Sequence, residues 1–173
     1  LRGDGDERDM TNETKALKFL EPSCNLSPEP AAVALIVDEL GRYLVQLRDE
    51  SSKIFFPNHW GCFGGALEAG ESFEAALERE LHEEIELDVK KFDVKEFTRF
   101  SFDFGFAGGN VIDRVFFEIS ITADMFNYLN LNEGKDFRFW DPTELLHELV
   151  VPYDRFAIWM HLYRSRFSLP LKL

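Results

Sequence analysis

The segment from Gly65 to Leu87 constrains this chain more than any other. Gly65 and Gly70 bracket a short loop that ends at Glu71, and a helical pattern follows. Phe73, Leu77, Leu81 and Ile85 recur every four residues and Ala76 joins them, so one side of the helix is apolar and must lie on a core. Ser72 is a good N-cap, and Glu74 suits the positive first turn. Glu80, Glu83 and Glu84 share another side at i, i+3 and i+4. Like charges at that spacing cost an isolated helix roughly 0.2–0.5 kcal/mol per pair. Hard divalent cations take clustered oxygen ligands, and Mg²⁺ is held by a few carboxylates together with substrate phosphates. A metal-dependent attack on a phosphate ester is therefore the first expectation.

The spacing runs Gly65, five residues, Glu71, seven residues, Arg79-Glu80-Leu81, one residue, Glu83-Glu84, with Leu87 closing it. It resembles the signature of the Nudix hydrolases, and the resemblance extends over most of residues 30–165. One position departs, with Glu86 standing where the family has glycine. The resemblance implies an α/β fold, an α/β/α sandwich around a mixed β-sheet. It implies that Glu80, Glu83 and Glu84 bind Mg²⁺ or Mn²⁺, and that Arg79 orients a glutamate through its planar fork. Glu71 would pair with Arg79 and support the metal site from behind. Gly64 and Gly65 would let the chain turn sharply and bring backbone amides to phosphate. The plainer alternatives are a solvated helix face for the three acids, a first-turn acid for Glu71 and an ordinary turn for the glycines. The family glycine ends the helix, where a left-handed residue is common. Glu86 would cost roughly 1 kcal/mol if that geometry is kept; otherwise the helix runs on.

Hydrolysis also needs a group to position or deprotonate water. The segment Leu131-Asn132-Glu133-Gly134 resembles a Glu-Gly loop of related hydrolases, which makes Glu133 a candidate base or further metal ligand, against an ordinary loop glutamate. Glu118 is a second candidate, although its apolar neighbours suit the solvent face of a strand. Arg48 follows the second expected strand and is a candidate for substrate phosphates, against a surface arginine. His59, His82, His147 and His161 show no metal-ligand spacing. Trp60, Phe63 and Trp140 could stack a base, but in so aromatic a chain, with 18 Phe, core is the better reading.

Composition sets the outer bounds. The 173 residues suit one domain with some tail. Residues 1–28 read as a flexible N-terminal tail and 29–173 as the Nudix domain. The net charge of −13 argues against a nucleic-acid partner, which needs a basic footprint. A small phosphorylated substrate remains compatible, since a bound cation reverses the local sign. No apolar run approaches the ~20 residues of a membrane span, and no signal peptide is visible. Cys24 and Cys62 are too few for a disulfide framework, Cys62 reads as a buried thiol, and a cytoplasmic location is the default expectation.

Strands are expected over Ala31 to Val37 and Tyr43 to Leu47 as a hairpin, then Trp60 to Gly64, Asp93 to Asp103, Asp113 to Ile121 and Phe137 to Trp140. Short helices are expected from Pro142 through Thr143 to Leu149 and over Asp154 to Arg166. The last should present Phe156, Trp159, Met160, Tyr163 and Phe167 as its apolar face. Aromatics near Phe100 to Phe106 are candidates for a homodimer contact.

The activity implied by the resemblance is hydrolysis of a nucleoside diphosphate linked to a group X. Similarity over Asn132 to His161 leans towards nucleotide pyrophosphatases acting on a (d)NTP or a nucleotide sugar. Two alternatives stand beside it: a noncatalytic Nudix module that binds a nucleotide or a protein, and a prenyl diphosphate isomerase using Cys62 and Glu118.

Overall fold

The structure, a computed structural model, describes residues 29–51, 54–103 and 110–167. The expected tail over residues 1–28 lies outside the described residues, as does most of the expected glycine turn, residues 105–109.

Strand β1 (Ala31–Val37) is buried along almost its whole length, which is why its sequence is an unbroken apolar run. It turns at Asp38, whose Oδ1 accepts from the backbone N–H of Leu40 and Arg42, and returns as β2 (Tyr43–Leu47). On one edge β1 pairs antiparallel with β2 and with β4 (Phe63–Ala66). On the other it runs parallel to β6 (Val111–Ser120), which pairs antiparallel with β5 (Val94–Asp103). Strands β3 (Trp60–Gly61) and β7 (Asp136–Trp140) pair with β2 and complete a seven-stranded mixed sheet.

Helix α1 (Phe73–Ile85) covers one face of the sheet, with Leu77, Leu81 and Ile85 packed on Ala32, Ala34, Ile36, Val115 and Phe117. The helices α2 (Pro142–Leu145), α3 (Pro152–Leu162) and α4 (Arg164–Phe167) follow β7. Ala157 and Ile158 of α3 close the opposite face against Val33, Leu35, Tyr43 and Phe116. The result is the expected α/β/α sandwich.

Three elements differ from expectation, each for a local reason. The strand expected over Trp60 to Gly64 divides at Cys62, whose N–H donates to Asp154 Oδ2 at 2.9 Å. Helix α2 stops at Leu145 because the following chain joins the sheet edge: Trp60 N–H donates to Leu149 O, and Val151 N–H donates to Trp60 O. Helix α3 is rotated from its expected apolar face. It buries Asp154, Ala157, Ile158 and His161, while Phe156 and Trp159 stack on each other outside. His161 pairs with Tyr43 Oη, 2.6 Å away, whereas Asp154 is paired at Cys62 through one oxygen only. Among the described residues no helix is long and apolar enough to cross a membrane.

Candidate active site

The site forms where β4 leaves the sheet and α1 begins. Pairing sets Val33 opposite Gly64 and Ala32 opposite Gly65. Gly64 has φ +117, and a Cβ there would overlap the Ala32 carbonyl, so this close approach requires glycine. A Cβ on Gly65 would lie 2.5 Å from Glu80 Oε2. The missing side chain is thus the space that the Glu80 carboxylate fills. Ser72 then opens α1, its Oγ accepting from Ala75 N–H at 3.2 Å.

Arg79 organises this end of the helix. Its Nε donates to Glu71 Oε1 at 3.1 Å and its Nη2 to Glu71 Oε2 at 2.9 Å, a two-pronged grip. Nη2 also donates to Ala66 O at 2.9 Å, and Nη1 to Glu80 Oε1 at 2.5 Å. Glu83 is exposed, with Oε2 3.4 Å from Arg79 Nη1. The Arg79 guanidinium holds the Glu71 carboxyl below its usual range. Burial raises Glu80 against the opposing pull of Arg79.

Glu84 is the most buried acid of α1, 5% exposed. Its Oε1 accepts from Gln46 Nε2 at 2.9 Å and its Oε2 from Gly64 N–H at 2.7 Å. The Gly64 amide, expected to face phosphate, is therefore committed to Glu84. Burial pushes the Glu84 carboxyl up to about 8, and the charges of Glu80 and Glu133 add to that shift.

Gln46, Arg48, Asp49, Ile54, Glu84, Glu133 and Gly134 line a small recess, which brings Glu133 and Arg48 to the same place as Glu84. Arg48 is partly buried, and its Nε donates to Phe55 O at 3.0 Å. Helix α1 ends as the family pattern would have it end, despite the changed residue. Glu86 adopts φ 57 and ψ 28, the left-handed region, and the helix does not run on.

Cys62 and Glu118 stand apart from these acids. Cys62 is buried and its thiol is pushed well up by that burial. Glu118 shares its sheet face with Phe116, and its carboxylate meets His161 Nε2 at 3.1 Å and Arg164 Nη2 at 3.3 Å.

Gln46 also lines the recess and is not singled out by the sequence, whereas Gly134 enters the sequence reading only as part of the Glu-Gly loop. The signal for Gln46 was one polar residue in the strand YLVQL, which reads equally well as an outward position. Gly134 has φ +94, and a Cβ there would lie 2.7 Å from Gln46 Oε1. Asp154, buried behind Gly61 and Cys62 with Oδ1 unpaired, was read only as part of the last helix.

The donor set suits a hard cation: carboxylate oxygens at i, i+3 and i+4 of one helix, with burial raising two of the three carboxyls, Glu80 and Glu84. Among the described residues no three His, Cys, Asp or Glu side chains are already gathered closely enough to hold a metal. Glu80 and Glu83 turn towards Arg79 instead.

The fold is an α/β/α sandwich, with the acids of α1 placed where β4 leaves the sheet. Residues 27–160 match the family model described as the NUDIX domain. The chain belongs to the Nudix family, the pyrophosphohydrolases that act on nucleoside diphosphate derivatives. Solved structures agree on the fold. The Escherichia coli dihydroneopterin triphosphate pyrophosphohydrolase aligns with TM-score 0.63 at 16% identity, over 80% of this chain and 97% of its own. The MutT protein of Methanosarcina mazei Go1 aligns with TM-score 0.62 at 19% identity, over 83% and 100%. The NUDIX domain of Shewanella oneidensis NrtR, solved with ADP ribose, aligns with TM-score 0.63 at 16% identity, over 90% and 99%. A search of curated proteins found no significant sequence match.

Proposed function

We propose that this protein hydrolyses a nucleoside diphosphate linked to a group X, using Mg²⁺ or Mn²⁺, with a (d)NTP or a nucleotide sugar as substrate. The observation that carries the proposal is the placement of Glu84. A carboxyl pushed to about 8 by burial is held by Gln46 and Gly64 beside Glu80 and Glu133, an arrangement that a cation relieves. The structural relatives act on a dihydroneopterin triphosphate or hold ADP ribose, both of them phosphoanhydrides on a larger organic group.

Glu80, Glu83 and Glu84 would hold the cation, with Glu133 as a further ligand or as the base. When bound, the ion neutralises phosphate charge and activates water. Arg79 ties Glu80 to Glu71, which would limit how far Glu80 must turn to meet the cation. Gln46 and the Gly64 amide fix Glu84 from behind. Arg48 lines the recess and would meet phosphate oxygens there. Water oxygen forms the new bond to phosphorus, and the bridging P–O bond breaks with its electron pair on the departing phosphate. With Glu133 as the base, the water proton would pass to its carboxylate.

The test is a product screen with Mg²⁺ or Mn²⁺ across nucleoside triphosphates, nucleotide sugars, ADP-ribose and dinucleoside polyphosphates, beside Glu84→Gln. Turnover of one class, lost in the variant, is expected and identifies X. Ligand binding without turnover of any class would overturn the proposal in favour of a noncatalytic module.

A further inference from the structure

The C-terminal end of α1 is capped by a distant piece of the chain. Asn132 N–H donates to Glu84 O at 2.8 Å, Asn132 Nδ2 to Glu83 O at 3.0 Å, and Asn130 N–H to Ile85 O at 3.4 Å. Those carbonyls belong to the last turn, where a helix lacks internal donors. Glu86 sits one residue beyond, in a backbone region that few non-glycine residues adopt. A glycine would be better there for the helix alone. The side chain does have partners: its Oε2 accepts from Asn130 Nδ2 at 3.0 Å and its Oε1 from Asn132 Nδ2 at 3.5 Å.

We infer that Glu86 is a positioning residue, a latch that holds the 130–132 segment on the end of α1 and so sets where Glu133 stands beside Glu84. The inference rests on the proposed role of Glu133 at the cation. The connection is short. Asn132 is bound both to Glu86 and to the backbone of the acid-bearing turn, and the next residue is Glu133. Gly134 then passes against Gln46, the residue that also holds Glu84, so the segment is pinned on both sides of Glu133. Backbone strain at Glu86 is thus coupled to order in a loop that lines the recess.

Glu86→Gly and Glu86→Gln separate this role from a plain helix cap. Three readouts serve: the thermal midpoint, backbone hydrogen–deuterium exchange over residues 130–133, and Mn²⁺ affinity from the paramagnetic resonance of the free ion. Glu86→Gly should keep or raise the midpoint, because glycine relieves the left-handed backbone. The same variant should speed exchange over 130–133 and weaken Mn²⁺ binding, each by about two- to tenfold, the range one or two exposed hydrogen bonds supply. Glu86→Gln keeps an acceptor oxygen for the asparagines and should stay within about twofold of wild type in all three. Unchanged exchange in Glu86→Gly would overturn the latch, since the backbone bonds alone would then hold the segment. Faster exchange with unchanged Mn²⁺ affinity would overturn the link to Glu133. Wild-type protein that neither binds Mn²⁺ nor turns over substrate would overturn the proposed function instead, and exchange alone would then decide the latch.

Discussion

Arg79 grips Glu71 with two hydrogen bonds from one guanidinium edge, while the other edge holds Glu80. The helix acid and the loop acid are therefore tied through one guanidinium. A lysine has the same charge but a single ammonium, and it cannot reach Glu71, Glu80 and the Ala66 carbonyl at once. Arg79→Lys should lower kcat by roughly 10- to 100-fold, as loss of a group that orients metal ligands does elsewhere. Steady-state kinetics beside circular dichroism check this, and a folded variant with wild-type kcat would show that Glu80 needs no such anchor.

Neighbouring glycines should respond differently to the same substitution. At Gly65 the atoms nearest the new methyl belong to the carboxylate end of the Glu80 side chain, not to backbone. Gly65→Ala should fold normally and lose roughly 10- to 100-fold in kcat through displacement of Glu80. At Gly64 the methyl meets the backbone of β1 in a positive-φ conformation. Gly64→Ala should therefore lose stability as well as activity. Thermal melts of the two variants side by side distinguish the cases, and equal melting points would refute the contrast.

The Glu84 carboxyl, at about 8, is largely protonated at neutral pH when no cation is present. A cation needs the carboxylate, so binding should release a proton. Mn²⁺ affinity should rise about tenfold per pH unit below pH 8 and level off above it. Calorimetric titrations in two buffers of different ionisation enthalpy count the released protons. A count of zero would remove Glu84 from the ligand set.

What the sequence made legible was whatever one element decides by itself. The four-residue period of Phe73, Leu77, Leu81 and Ile85 set the core face of α1, and the apolar run of β1 marked a strand buried on both faces. Contacts between distant segments were not legible. Gln46 looks like any outward strand residue until Glu84 is folded against it, 38 positions away. The rotation of α3 was hidden for the same reason. Phe156, Trp159 and Tyr163 form a better apolar stripe by composition, but Asp154 and His161 reach partners on the sheet and turn the helix the other way. That Glu80, Glu83 and Glu84 come from neighbouring turns of one helix was readable from spacing, whereas the Asn130 and Asn132 partners of Glu86 lie more than 40 residues on and carry no local signal.

Asp154 gives a stability prediction with a definite sign. Its Oδ2 accepts from Cys62 N–H, its Oδ1 is buried without a partner, and burial raises the carboxyl from 3.8 to about 6 against the pull of Arg114. The folded state therefore holds this proton more tightly than the unfolded chain. The contribution of Asp154 to stability falls as pH climbs from about 4 to 6, and the full penalty applies above that window. Two pK units correspond to on the order of 2–3 kcal/mol. Asp154→Asn keeps an acceptor for Cys62 N–H and carries no charge at any pH. Urea denaturation should find the variant equal to wild type near pH 4 and more stable by about 2 kcal/mol at pH 8. A difference that stays constant with pH would mean that Asp154 titrates normally and that its buried oxygen is solvated by water.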